Sequence, residues 1–192
     1  MGATLWRRRW IVDGSRTANQ RLAMVQAFDA NLKEVRKGLK GSDANRFERA
    51  VAGVLFLRGL SPMLQLETDA PDVVAFSPGG RAIIVECTIG AKDAATKVGK
   101  LVDRRATLTS SDSQASLRAE DVVALLVTGQ SREQAKVVAS ECEKHSIAML
   151  TAEELRDELD SAQVISSADE WYDRVVSRAT GAAAGEEVPR AT

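Results

Sequence analysis

The sequence predicts an α/β fold, a mixed sheet covered by helices on both faces, and three observations lead there. Aromatic residues make up only 4% of a chain that is 44% hydrophobic. Its core must therefore be built from Leu, Val, Ile and Ala, which suits packed helix and sheet layers better than aromatic strands. Short apolar runs of strand length alternate with segments of helical spacing through the second half of the chain. Two of those runs flank Ser77-Pro78-Gly79-Gly80, strong turn chemistry that reads as a hairpin.

The elements follow in order. Leu22, Val25, Phe28, Leu32 and Val35 recur at threes and fours, so a first helix is expected over residues 15–39. Gly41 breaks it, and Ser42-Asp43 offers a new N-cap for a second helix with the apolar stripe Phe47, Val51, Val54 and Leu55, ending near Gly59. Three strands are expected at 63–67, 72–76 and 82–87, then a helix over 93–107 and a Ser-rich loop over 109–116. A strand at 122–127, a helix over 132–145, a short strand at 147–151 and helices at 152–159 and 169–178 complete the order. The organisation is a basic helical extension over 1–40, a core over 41–160, a C-terminal helix over 161–180 and a disordered tail over 181–192.

Charge is uneven although the formal net value is only −1. Arg7, Arg8, Arg9, Arg16, Arg21, Lys33, Arg36, Lys37, Lys40, Arg46, Arg49 and Arg58 face few acids, while acids collect after Glu120. Such a front can dock on a phosphate backbone, and it is equally the composition of solvated helix faces. Cys87 and Cys142 are too few for a zinc cluster or a disulfide framework, which fits a reducing cytoplasm. No stretch has the length of a signal-peptide core or a membrane span, so a soluble protein with no membrane partner is expected, and a homodimer is the expected assembly.

Chemistry concentrates on the hairpin. Pairing Phe76 with Ala82 across the turn makes partner numbers sum to 158 and sets Asp72 opposite Glu86. Opposed residues of an antiparallel pair have Cβ atoms about 5 Å apart, and two carboxylates there repel unless a cation neutralises them. Hard oxygen ligands at that separation suit Mg2+ or Mn2+. A slip of one residue would separate the two side chains onto opposite faces. Strand alternation places Thr88 beside Glu86 and Cys87 on the other face.

Pro71-Asp72 followed by Glu86-Cys87-Thr88 resembles the PD-(D/E)XK motif of restriction-endonuclease-like nucleases, with Thr88 where the lysine normally stands. The resemblance runs from about Asn45 to Glu154. Within it, Glu48 takes the place of the auxiliary acid of the first core helix, and the closing half is similar to Mrr-like members. It implies an α-β-β-β-α-β core with an added N-terminal helix and C-terminal helices. It also implies a nuclease that hydrolyses phosphodiester bonds of DNA, in defence or repair. Asp72, Glu86 and the Cys87 backbone carbonyl would hold the metal, and Glu48 would join directly or through water. Some members carry the lysine on the helix after the third strand; Lys97, at the border of the stripe Ala94, Val98, Leu101 and Val102, is the first choice here and Lys100 the second. Thr88, Lys92 and Arg104 would meet the nucleic-acid backbone.

Other readings remain open. Asp72 alone is an ordinary acid after a proline, Glu48 an ordinary helix-flank ion-pair partner, and Lys97 and Lys100 ordinary solvated lysines. Glu86 is harder to explain away, because an acid closing the apolar run Ala82–Val85 is costly if buried without a partner. With the motif lysine replaced, a nuclease-fold subunit that binds nucleic acid or protein without cutting is the alternative function. A helical protein that dimerises through its first forty residues is a third.

Overall fold

The apolar spacing ahead of Gly41 does not fold as one helix; the chain breaks it at Asp29. The computed structural model describes residues 21–22, 24–65, 70–110, 117–160 and 167–181. Arg7, Arg8, Arg9 and Arg16, most of the Ser-rich loop and the tail expected over 181–192, beyond Gly181, lie outside them. Residues 24–28 are helical, Asn31 and Leu32 take left-handed backbone at φ 58° and 56°, and α1 (Lys33–Gly38) follows. The Asp29 carboxylate accepts the N–H groups of Glu34 at 2.9 Å and Val35 at 3.1 Å, satisfying donors that a helix start leaves open. The break turns Phe28 outward, 88% exposed instead of in the expected stripe, while Leu32 is buried.

The second helix, α2 (Ala44–Leu57), starts on Asp43, whose carboxylate accepts the Arg46 N–H at 2.8 Å. It buries Phe47, Val51, Val54 and Leu55, the stripe read from spacing. Next come β1 (Ser61–Leu64), β2 (Val73–Phe76) and β3 (Ala82–Thr88), each antiparallel to the one before. The first of these begins two residues earlier than expected, at Ser61. From there α3 (Ala91–Thr109) crosses to β4 (Val122–Thr128), and α4 (Lys136–Lys144) crosses to β5 (Ala148–Thr151), both strands parallel to β3. Residues 132–135, expected within that helix, form turns before it. Two further helices, α5 (Ala152–Asp160) and α6 (Ala168–Ala179), follow.

Spatial strand order is β1-β2-β3-β4-β5, a five-stranded mixed sheet. Every residue of β3 and β4 is buried, the mark of strands covered on both faces. Ile83, Val85 and Cys87 point into the larger core with α2, α5 and α6. Ile84, on the opposite face, packs with Val98 and Leu101 of α3 and Cys142 of α4. Both closing helices begin with reciprocal capping boxes: Thr151 with Glu154, and Ser167 with Glu170. Among the described residues, no helix is long and apolar enough to cross a membrane.

Several front-half cations are engaged within the molecule. Arg36 pairs with Asp160, Arg46 with Glu34, and Arg58 lies buried against Glu158 at 2.7 Å, where Trp171 Nε1 also donates at 3.2 Å. Arg21 stacks on Phe56 at 4.6 Å and donates to the Phe56 carbonyl. The basic front read from the sequence is thus in part a set of tethers between helices.

The α1–α2 contact gives a test of packing against propensity. A Cβ on Gly38 would stand 2.7 Å from Ala50 Cβ and from the Arg46 carbonyl oxygen. Intrinsic helix propensity favours Gly38→Ala by about 1 kcal/mol, but overpacking costs about 1–3 kcal/mol. Denaturant unfolding should show Gly38→Ala less stable than the parent; a gain would mean the two helices do not pack this closely.

Candidate functional site

The hairpin turn sets the geometry. The Ser77 N–H donates to the Arg81 carbonyl and the Gly80 N–H to the Ser77 carbonyl, both at 2.9 Å, with Gly80 at φ +82°, where a side chain would be strained. Arg81 anchors the turn to α6 through Asp169 at 2.7 Å and by stacking on Tyr172 at 4.3 Å. Phe76 therefore stands opposite Ala82 and Val73 opposite Val85. One step beyond this ladder, Asp72 comes level with Glu86, on the sheet face that carries Val74 and Ile84 and that α3 covers.

Glu86 has no solvent exposure, and Asp72 is 16% exposed. An isolated carboxylate so placed would cost several kcal/mol in lost hydration. The compensation comes from α3. Lys97 Nζ lies 2.6 Å from Glu86 Oε2 and 2.8 and 3.1 Å from the two oxygens of Asp72. Arg104, two helical turns on, brings its guanidinium to Glu86 Oε1. Asp72 Oδ2 also accepts the Cys87 backbone N–H at 2.7 Å, which ties the start of β2 to the end of β3. By contrast, neither Glu86 oxygen receives an aligned hydrogen bond. It is held by charge rather than by directed donors.

The other residues singled out in the sequence occupy distinct places. Glu48, half-buried on α2, has its carboxyl pKa raised, first by burial and then by the Asp72 carboxylate, with Lys97 and Arg49 pulling the other way. Cys87 is buried on the α2 side; burial, then Asp72 and Glu48, push its thiol pKa well up, so it is an inert core thiol. The Thr88 hydroxyl is buried and donates to the Gly90 carbonyl at 2.9 Å, closing the turn into α3. Lys92 and Lys100 are exposed on α3, and neither forms an ion pair with Asp72 or Glu86 among the described residues. Arg104, expected at a nucleic-acid backbone, is only 15% exposed and turned inward onto Glu86.

Two carboxylates, a lysine touching both and an arginine on the buried one form a single ion cluster. Asp72 and Glu86 converge on one positive charge, and the buried Glu86 oxygens lack aligned donors. Hard oxygens arranged so match the one or two carboxylates by which magnesium is usually bound. Among the described residues no group of three acid, His or Cys side chains clusters as a metal cage.

Removing the lysine should leave two facing charges. Lys97→Met is expected to lose about 3 kcal/mol in denaturant unfolding, and adding Asp72→Asn to it, which leaves Glu86 with Arg104, should recover part of that loss; strict additivity would show that Lys97 and Asp72 do not interact. Glu48 gives a pH signature. A carboxyl whose folded-state pKa is raised contributes stability below its unfolded pKa and loses it as pH rises through the folded value. Glu48→Gln should therefore raise Tm at pH 7, with the gain vanishing below about pH 4. No protein-family model matches this chain, and no curated protein is similar to it.

Proposed function

We propose that the chain is a divalent-metal-dependent nuclease with a restriction-endonuclease-like core, hydrolysing phosphodiester bonds of DNA. The observation that carries this reading is the convergence of Asp72 and Glu86 on the Lys97 ammonium, delivered from the helix after the third strand. The strand and helix order, with an antiparallel hairpin feeding a parallel crossover, is the order that the motif resemblance implies.

In this reading Asp72, Glu86 and the Cys87 backbone carbonyl would hold magnesium or manganese, with Glu48 joining directly or through water. The metal, when bound, would supply an activated water and charge stabilisation at the phosphoryl oxygens. The chain's own residues have separable tasks. Asp72, through the Cys87 N–H and Lys97, keeps the hairpin edge aligned with β3. Arg104 stays against Glu86 Oε1 and leaves Lys97 free to move toward substrate. Lys97 then provides the positive charge that Thr88 cannot, because the Thr88 hydroxyl is neutral and its proton is committed to Gly90. The exposed Lys92 and Lys100 on the same helix suit the flanking phosphates.

A second reading has one observation in its favour. Both carboxylates are already neutralised within the chain and Glu86 is fully buried, which also describes a nuclease fold that binds nucleic acid or a protein without cutting. A panel of single- and double-stranded DNA and RNA, incubated with and without magnesium or manganese, separates the two. The nuclease reading expects metal-dependent cleavage that falls about a hundredfold or more in Asp72→Ala and Glu86→Ala, with Lys97→Arg retaining more activity than Lys97→Ala. Cleavage indifferent to both acid substitutions would sink it.

A further inference from the structure

Next to the carboxylate pair, on the same face of the sheet, lies a cavity of about 380 Å3, within the ~300–1,000 Å3 typical of small-ligand sites. Val74 and Phe76 of β2 and Ala82 of β3 line it from the sheet, and Leu108 near the end of α3 lines it from above. Its polar groups are few: the Gln65 amide, the Thr107 hydroxyl and the Arg104 guanidinium. Apolar walls with an aromatic ring, a planar cation and a few edge donors and acceptors match the chemistry of a nucleobase, which has π faces and a polar rim.

Two links join this cavity to the carboxylate pair. Arg104 touches Glu86 and also lines the cavity. Pro71, which lines it too, immediately precedes Asp72. A molecule in the cavity would therefore sit within one side chain of both carboxylates. The charge along α3 favours an anion: the helix carries five basic residues against two acidic ones, and Lys100, two turns before Thr107, is exposed. A purely apolar occupant would leave that charge unused, whereas a nucleotide strand uses it through its phosphates.

We propose that this cavity receives a nucleobase from the strand whose phosphate lies at Asp72, Glu86 and Lys97, so that the substrate offers an unpaired or flipped-out base. The inference rests on the nuclease reading and narrows its substrate. A paired, stacked base reaches a cavity of this size only by leaving the duplex, so single strands, ends or distorted duplexes bind better than intact ones.

The test uses the full chain without added magnesium or manganese, and fluorescence anisotropy with two labelled probes of equal length: a single-stranded deoxyoligonucleotide and its abasic counterpart. The parent should bind the base-bearing strand about tenfold tighter than the abasic one, the scale of one stacked base. Thr107→Met, at an exposed helix position, fills the cavity mouth, and Phe76→Leu keeps the wall apolar while removing the aromatic face. Both variants should bind the two probes nearly alike, with abasic binding unchanged. Equal binding of the two probes by the parent overturns the proposal, as does a preference that survives in both variants. If the parent cleaves nucleic acid with metal but shows no preference for bases, the cavity proposal alone fails. If it neither binds nor cleaves any strand, the nuclease reading fails with it.

Discussion

A carboxylate with no access to water, at the last turn of a strand buried on both faces, dictates much of what surrounds it. Glu86 lies within β3 and next to Leu126 of β4, where hydration is lost and hydrophobic packing is the alternative on every side. Its charge is tolerable only because α3 returns across the same face with Lys97 and Arg104 two turns apart, one cation for each oxygen. The crossover from β3 to β4 thus does two jobs. Its apolar stripe of Ala94, Val98 and Leu101 seals the sheet, and its flank supplies the neutralising charge.

The hairpin is the second half of the same device. Gly80 and Ser77 close the turn, and Arg81 fastens it to α6, so the register is held from the end of the sheet far from the acids. A slip of one residue would carry Asp72 to the α2 face and leave Lys97 with a single carboxylate. The precision of the site is therefore secured by a turn on the opposite edge, and the site itself is free to be polar. A buried ion cluster of this kind contributes little net stability relative to an apolar core, so the hydrophobic layers around it carry the fold.

Much of this was legible in the residues. The turn chemistry of Ser77 to Gly80 carried the register, because a short loop leaves few ways to pair two apolar runs. Glu86 stood out as an acid closing the run Ala82–Val85, and Lys97 as the lysine bordering the apolar stripe of α3. Arg104 was misplaced because one face of a helix wheel cannot say whether a long side chain reaches outward or folds back; its spacing of seven from Lys97 was the available signal. The break at Asp29 escaped notice because left-handed backbone at Asn31 and Leu32 has no counterpart in apolar periodicity, although an acid able to cap Glu34 and Val35 was there to be seen. The capping boxes at Thr151 and Ser167 have a sequence signature, an acid three residues after a hydroxyl, ahead of each closing helix. The front-half charge was overcounted because Arg36, Arg46 and Arg58 find acids on elements more than ten residues away, which composition along the chain does not register.

Asp72 and Glu86 converge on the Lys97 ammonium, and in the nuclease proposed here a divalent metal would take its place. Two cations that share a site compete for it. Manganese binding to the intact chain, followed by electron paramagnetic resonance, tests this directly against Lys97→Ala and Asp72→Ala. The account predicts tighter manganese binding in Lys97→Ala than in the parent and its loss in Asp72→Ala. Manganese affinity that is absent in all three proteins, or unchanged by either substitution, would contradict it.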